Sequence, residues 1–227
     1  MKQKFTILFD LDGTLVDTAP DLMLAHNHVM KKFGYPTKST EDIRNFVGKG
    51  AGALIGRSIW GQAKKEFSKV LDEKIKDEMV KEFINFYGKN INNESTLVTG
   101  VKSFLIWCKE QNISMAVCTN KQEHLSNDLL KKIGIYDFFE YVAGSDTFDY
   151  CKPDPRHLTN VVEILDGDVK KTIMIGDSET DANAAKAAEI PVILLENGYT
   201  EKNTTEIYHN HLIKDFIGIE EIITKYL

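Results

Sequence analysis

Residues 4–18 read KFTILFDLDGTLVDT. Phe5 to Phe9 form a short apolar run, broken only by Thr6, that looks like a strand buried on both faces. It ends abruptly in Asp10-Leu11-Asp12-Gly13-Thr14, which sets two carboxylates beside a buried segment. Burying charge is costly unless something compensates it. Taken alone, Asp10 and Asp12 also admit the reading of two turn carboxylates on a loop. The rest of the chain decides between that reading and a site.

The chain has 227 residues, enough for one domain with an elaboration or two modest domains. Hydrophobic residues make up 42% and charged residues 27%, the balance of a water-soluble globular protein. The formal net charge of -6 argues against a nucleic-acid partner, which calls for a basic stripe. No apolar run is long enough to span a bilayer. Lys2, Lys4 and FTILF echo a signal peptide only faintly, because Asp10 and Asp12 interrupt the apolar part. These features predict a cytoplasmic protein with no membrane partner. Cys108, Cys118 and Cys151 are sparse, odd in number and without metal-type spacing, so they read as reduced thiols.

Further apolar runs recur at ISMAVCT (113–119), YVAGS (141–145), TIMIG (172–176) and PVILL (191–195). Helical stripes lie between them. Val101, Phe104, Leu105 and Cys108 form one, and Leu125, Leu129, Leu130 and Ile133, ended by Gly134, form another. Pro155 precedes a third through Leu158, Val161, Val162 and Leu165, and Ala182, Ala184, Ala185, Ala187 and Ala188 make a small-residue helix. Strand alternating with helix predicts an α/β fold, a doubly wound and mainly parallel sheet with right-handed crossovers. From Asp17 to Asn93 the alternation stops and only helical patterns remain, among them Leu22, Ala25, Val29 and Phe33, and the longer Phe67, Leu71, Ile75, Met79, Phe83 and Tyr87. The predicted organisation is an α/β core domain over 1–16 and 94–227, with an inserted all-helical cap domain over 17–93. The insertion is hinged at the end of the first strand, where ligands bind in open α/β sheets.

Polar clusters follow the strands. Thr119-Asn120-Lys121 follows the second, Lys152-Pro153-Asp154-Pro155 the third, and Gly176-Asp177-Ser178-Glu179-Thr180-Asp181 the fourth. Singly these read as a helix cap, a turn and a polar loop. Together they stand on one edge of the sheet. Asp10, Asp12, Asp177 and Asp181 in one crevice would repel one another strongly, and a hard divalent cation such as Mg²⁺ relieves that. Lys152 adds positive charge. Thr119, Asn120 and the backbone N–H groups near Gly13 suit phosphoryl oxygens.

DLDGT (10–14), TN (119–120), KPDP (152–155) and GDSETD (176–181) resemble, in order, the four motifs of the haloacid dehalogenase superfamily. The resemblance covers nearly the whole chain, and four ordered motifs are far more specific than one. FDLDGTLVDTAPDL, FVGKGAGALI, GDSETDANAAKAAEIPVI and ENGYT are most similar to the phosphoglycolate phosphatases within it. The resemblance implies a Rossmann-like core, an aspartyl-phosphate mechanism and a Mg²⁺-dependent phosphomonoesterase, with 2-phosphoglycolate as substrate and glycolate and phosphate as products. Asp10 would be the nucleophile, and Asp12 the proton donor and later the base, its backbone carbonyl on the metal. Asp10 and Asp177 would be carboxylate ligands, with Asp181 in outer support. Thr119, Asn120 and Lys152 would bind the phosphoryl group, with Lys152 also holding Asp10. From the residues alone, Gly13 offers its backbone, and Lys49, between Gly48 and Gly50 in the insertion, reads either as a solvated surface lysine or as a contact for the substrate carboxylate.

Two positions depart from the pattern. Thr99 stands where a proline usually precedes Gly100, and Cys151 precedes Lys152. A beta-phosphoglucomutase-like isomerase shares all four motifs. A phosphonoacetaldehyde hydrolase would use Lys49 for a Schiff base. A non-enzymatic binding module is disfavoured because no motif residue is missing, and a halide-releasing enzyme because Asp12 has work only when an alkoxide leaves. The sequence does not fix the oligomeric state.

Overall fold

The computed structural model describes residues 4–60, 73–200 and 202–227. Its elements in chain order begin with β1 (Thr6–Phe9), β2 (Val16–Asp17), α1 (Ala19–Phe33), α2 (Thr40–Phe46), α3 (Ala51–Trp60), α4 (Glu73–Lys89) and β3 (Thr96–Leu97). They continue with α5 (Val101–Glu110), β4 (Ser114–Cys118), α6 (Glu123–Ile133), β5 (Tyr141–Ala143), α7 (Arg156–Ile164), β6 (Thr172–Gly176), α8 (Glu179–Ala187), β7 (Val192–Leu195), β8 (His211–Ile213) and α9 (Glu220–Ile223).

Six strands form one sheet in the order β5-β4-β1-β6-β7-β8, and every pairing is parallel. β1 lies at the centre, with Leu8 opposite Ala116 on one side and Met174 on the other. The central strands are buried at every position and apolar apart from Thr6, Ser114 and Thr172 at their starts and Gly176 at the end of β6, because both faces are covered. Ile7, Phe9, Val117 and Ile175 belong to one core cluster and Leu8, Ala116, Met174 and Leu194 to another. That alternation is the strand period expressed on two buried faces. The expected stripes of α5 and α6 are buried apart from half-buried Ile133, and Gly134 ends α6 in the left-handed region at φ 79°. In α8 the alanines Ala182, Ala184 and Ala185 are buried, whereas Ala187 is exposed.

Helices α1 to α4 all lie between β2 and β3, and these two short strands pair antiparallel, Val16 with Leu97 and Asp17 with Thr96. The sequence pattern leads one to expect no strand beside Asp17. Two residues are too short to carry a period, and the ribbon exists because the incoming and outgoing chains meet there. Asp21 secures the junction, accepting from the Ser95 N–H at 2.9 Å, the Ser95 hydroxyl at 2.6 Å and the Glu94 N–H at 3.0 Å. In α4, Met79, Phe83 and Tyr87 are buried as expected, but Ile75 is 39% exposed. Phe67 and Leu71 of that stripe lie outside the described residues. β8 was not legible either, since HLI offers only a short mixed pattern. Among the described residues no helix is long and apolar enough to cross a membrane.

Candidate active site

β1 delivers Asp10 into the carboxyl edge of the sheet, and the Asp10 N–H donates to Ile175 O of β6 at 2.9 Å. β6 in turn delivers Asp177, and the first turn of α8 delivers Asp181. Asp10, Asp177 and Asp181 are all buried, each with a carboxylate oxygen within 4.8 Å of the others. Lys152 Nζ stands 2.9 Å from Asp10 Oδ1 and 2.6 Å from Asp181 Oδ1. The other oxygen of Asp181 accepts from the Ser178 hydroxyl at 2.7 Å and from the N–H groups of Ser178 and Asp177. Both oxygens of Asp181 are therefore engaged. Asp177 Oδ2 accepts from the Tyr199 N–H at 2.6 Å.

One ammonium faces three carboxylates. Burial pushes the Asp10 carboxyl up to about 6, Lys152 opposing the shift and Asp181 adding to it. Burial also drives Asp177 well above its ordinary range, reinforced by Asp181 and Asp10. Burial would lower Lys152, but the two carboxylates outweigh it and hold the lysine well above its usual value. The cluster thus lacks positive charge, and apart from its ion pair Asp10 Oδ1 has no hydrogen-bond partner among the described residues. A divalent oxygen-seeking cation fits that deficit. Gly13 keeps the space open. At φ 84° it turns the chain tightly, and a Cβ there would lie 2.1 Å from Asp177 Oδ2.

Asp12 points elsewhere. Its carboxylate accepts from Lys121 Nζ at 2.7 and 2.9 Å and from the Thr18 hydroxyl at 2.7 Å. Asp10, Asp12, Thr119, Asn120, Lys121 and Lys49 all line one cavity of about 300 Å³ beneath the loop that opens α3.

A family model described as haloacid dehalogenase-like hydrolase matches residues 7–195. The chain belongs to the haloacid dehalogenase-like hydrolase family. A phosphoglycolate phosphatase of Mesorhizobium japonicum is 38% identical over 92% of this chain and 90% of its own length. One of Agrobacterium fabrum is 36% identical over 96% of this chain and 94% of its own. A crystal structure from Haemophilus somnus, described as a predicted phosphoglycolate phosphatase, superposes with a TM-score of 0.89 at 31% identity, covering 98% of this chain and 99% of that one.

In this hydrolase the structure brings the four motifs together at one sheet edge, with two corrections to expected contacts. The Gly13 N–H is not free for a phosphoryl oxygen, because the 11–16 turn closes on itself and that N–H donates to Val16 O at 2.8 Å. The Asn120 side chain does not offer its N–H groups to the cavity. It donates to Gly48 O at 3.1 Å and Lys152 O at 2.9 Å, tying the α3 loop to the lysine segment. Thr119 is buried, and its hydroxyl oxygen accepts from the Lys121 N–H at 3.2 Å. Lys49 is exposed at the cavity rim. Cys151 is half-buried in the lining, and burial raises its thiol against the opposing effect of Lys152.

Three participants escaped the motif reading. Lys121 sits next to Asn120 but shows no pattern of its own. Tyr87 reads as one more apolar position of α4. Arg44 of α2 grips Asp17 with two hydrogen bonds of 2.9 and 2.7 Å, a pairing across 27 positions that no local pattern announces.

Proposed function

We propose that this hydrolase is a Mg²⁺-dependent phosphomonoesterase that converts 2-phosphoglycolate to glycolate and phosphate. The observation that carries the reading is the pair of carboxylates at the end of β1. Asp10 is held against Lys152 and Asp12 is held apart from it, while both open into one cavity. The family and the phosphoglycolate phosphatases it resembles support the same chemistry. The parallel sheet and the helices between β2 and β3 act as a core over 1–16 and 94–227 and a cap over 17–93.

Asp10 and Asp177, with the Asp12 backbone carbonyl, would hold Mg²⁺, and Asp181 supports them by fixing Lys152. Bound there, the ion supplies charge neutralisation for the phosphoryl oxygens and for Asp10. The Asp10 carboxylate attacks phosphorus, the ester P–O bond breaks, and Asp12 gives its proton to the departing alkoxide. Water then attacks the aspartyl-phosphate, Asp12 takes its proton, and Asp10 is regenerated as phosphate leaves. Lys152 and the Thr119 hydroxyl position the phosphoryl oxygens. Asn120 serves as a strut for the Lys152 segment, and Lys49 at the rim meets the incoming anion. Lys49 is exposed, which disfavours Schiff-base chemistry, since that needs a desolvated amine.

The test is a panel of phosphorylated metabolites with Mg²⁺, compared by kcat/KM. The reading expects 2-phosphoglycolate to lead the panel. Turnover of none of them would defeat it, and a faster isomerisation of a hexose phosphate would replace it with the mutase reading.

A further inference from the structure

Two groups in the cavity have no role in phosphoryl transfer as derived above, and they adjoin. Lys121 is only 8% exposed and projects its ammonium onto Asp12. The same ammonium lies 4.5 Å from the ring centre of Tyr87 on α4. Tyr87 is 1% exposed, lines the cavity, and its hydroxyl has no hydrogen-bond partner among the described residues. A buried unsatisfied hydroxyl is costly, and native proteins retain few of them. A buried lysine paired with a carboxylate that has other work to do is a cation that awaits a second anion.

From these contacts we propose that Lys121 and Tyr87 form the subsite for the anionic end of the substrate, one residue from the core and one from the helices above it. The inference rests on the phosphatase reading and names the specificity determinant of that same site. In 2-phosphoglycolate a single methylene separates the leaving oxygen from the carboxylate. The group that reaches Asp12, which must meet the leaving oxygen, therefore reaches the carboxylate as well. The substrate carboxylate displaces Asp12 from Lys121 and accepts from the Tyr87 hydroxyl, and Asp12, freed of the ammonium, takes up a proton from solvent and carries it toward the leaving oxygen. When glycolate departs, Lys121 returns to Asp12. Substrates without the second anion leave Lys121 on Asp12 and Tyr87 unpaired, so they are turned over poorly. Lys49, exposed above, loses more of any such contact to water.

The test compares kcat/KM for 2-phosphoglycolate with that for ethyl phosphate, which has the same leaving oxygen and no carboxylate. The variants are Lys121→Met, Tyr87→Phe, Lys121→Arg and Lys49→Ala. A loss through folding falls on both substrates and cancels in the ratio, whereas Lys121→Met also frees Asp12 for ethyl phosphate, which lowers the ratio in the same direction. Lys121→Met is expected to lower the ratio roughly ten- to a hundredfold, the size of one charge-assisted hydrogen bond, and Tyr87→Phe roughly three- to tenfold. Lys121→Arg is expected to recover much of the ratio, and Lys49→Ala to move it least. An unchanged ratio in both Lys121→Met and Tyr87→Phe overturns the subsite while leaving the phosphatase reading intact. So does a ratio that responds only to Lys49→Ala. A wild-type enzyme that hydrolyses neither substrate overturns the phosphatase reading and the subsite with it.

Discussion

Tyr199 donates its backbone N–H to Asp177 Oδ2 at 2.6 Å, and its hydroxyl donates to Asp17 while accepting from the Ala19 N–H at 2.9 Å. One residue thus joins the proposed metal ligand to the strand that leads into the helices between β2 and β3. Arg44 completes the join, since it grips Asp17 and lies over the Tyr199 ring. Burial pushes the Asp17 carboxyl up, but Arg44 and the Tyr199 hydroxyl outweigh it and hold it below its ordinary value. Tyr199→Phe leaves the N–H to Asp177 in place and strips Asp17 and Ala19 of a partner. It should cost about 1–3 kcal/mol of stability. Chemical denaturation checks the loss, and the Mg²⁺ concentration for half-maximal activity should not change.

Asp10→Asn should abolish turnover and keep the fold. The amide is nearly isosteric but cannot attack phosphorus, and loss of a covalent nucleophile costs several orders of magnitude in kcat. Steady-state rates on material shown by mass spectrometry to be free of deamidation decide this. Retained activity would remove Asp10 from the covalent role.

Asp177→Asn and Asp181→Asn should have opposite signatures. Asp177→Asn removes one of three crowded charges and keeps an oxygen for the Tyr199 N–H. The metal-free protein should lose little stability at neutral pH, while the Mg²⁺ requirement climbs steeply. Asp181→Asn takes one of two carboxylate partners from buried Lys152, which keeps Asp10, and sets an amide NH₂ against the lysine or the Asp177 and Ser178 N–H groups, costing about 1–3 kcal/mol. Its Mg²⁺ requirement should move less. Denaturation curves and Mg²⁺ titrations of the same two variants separate the effects, and matched effects would mean that Asp181 is a direct ligand.

Mg²⁺ should stabilise the protein in a pH-dependent way. In the folded metal-free chain the Asp10 carboxyl is raised from 3.8 to about 6, and Asp177 is raised too. A raised carboxyl favours folding fully while both states are protonated, below 3.8, and that share is lost as pH rises through about 6. Mg²⁺ binds the ionised form and so restores what ionisation removes. The Mg²⁺-induced rise in Tm should be small at pH 5 and grow on passing through pH 6. A rise independent of pH would dissociate the ion from these carboxylates.

Cys151 should alkylate slowly at neutral pH, because burial keeps its thiol protonated. A phosphate analogue filling the cavity should slow it further. Labelling with iodoacetamide, followed by peptide mass spectrometry, measures both rates.

The sequence by itself determined the α/β class and which motifs stand at the carboxyl edge of the sheet. Apolar runs at 5–9, 113–119, 141–145, 172–176 and 191–195 can be satisfied only by a sheet covered on both faces, and each motif is attached to the end of such a run. Asp10, Asp177, Asp181 and Lys152 are therefore legible as neighbours from the sequence alone, because strand direction and crossover handedness leave them one common edge. What each atom of the site touches belonged to the tertiary structure. That Asn120 braces Gly48 and Lys152 and that β2 meets β3 depend on segments far apart in the chain arriving within about 3 Å of each other, whereas the Gly13 N–H is spent within its own turn on Val16. The same holds for Lys121, Asp12 and Tyr87. Each has an ordinary local context, and only packing α4 over the end of β4 places a buried ammonium between a carboxylate and an aromatic ring. Local periodicity encodes which face of an element is buried. It carries no information about which polar side chain the opposite segment presents, and specificity rests on that.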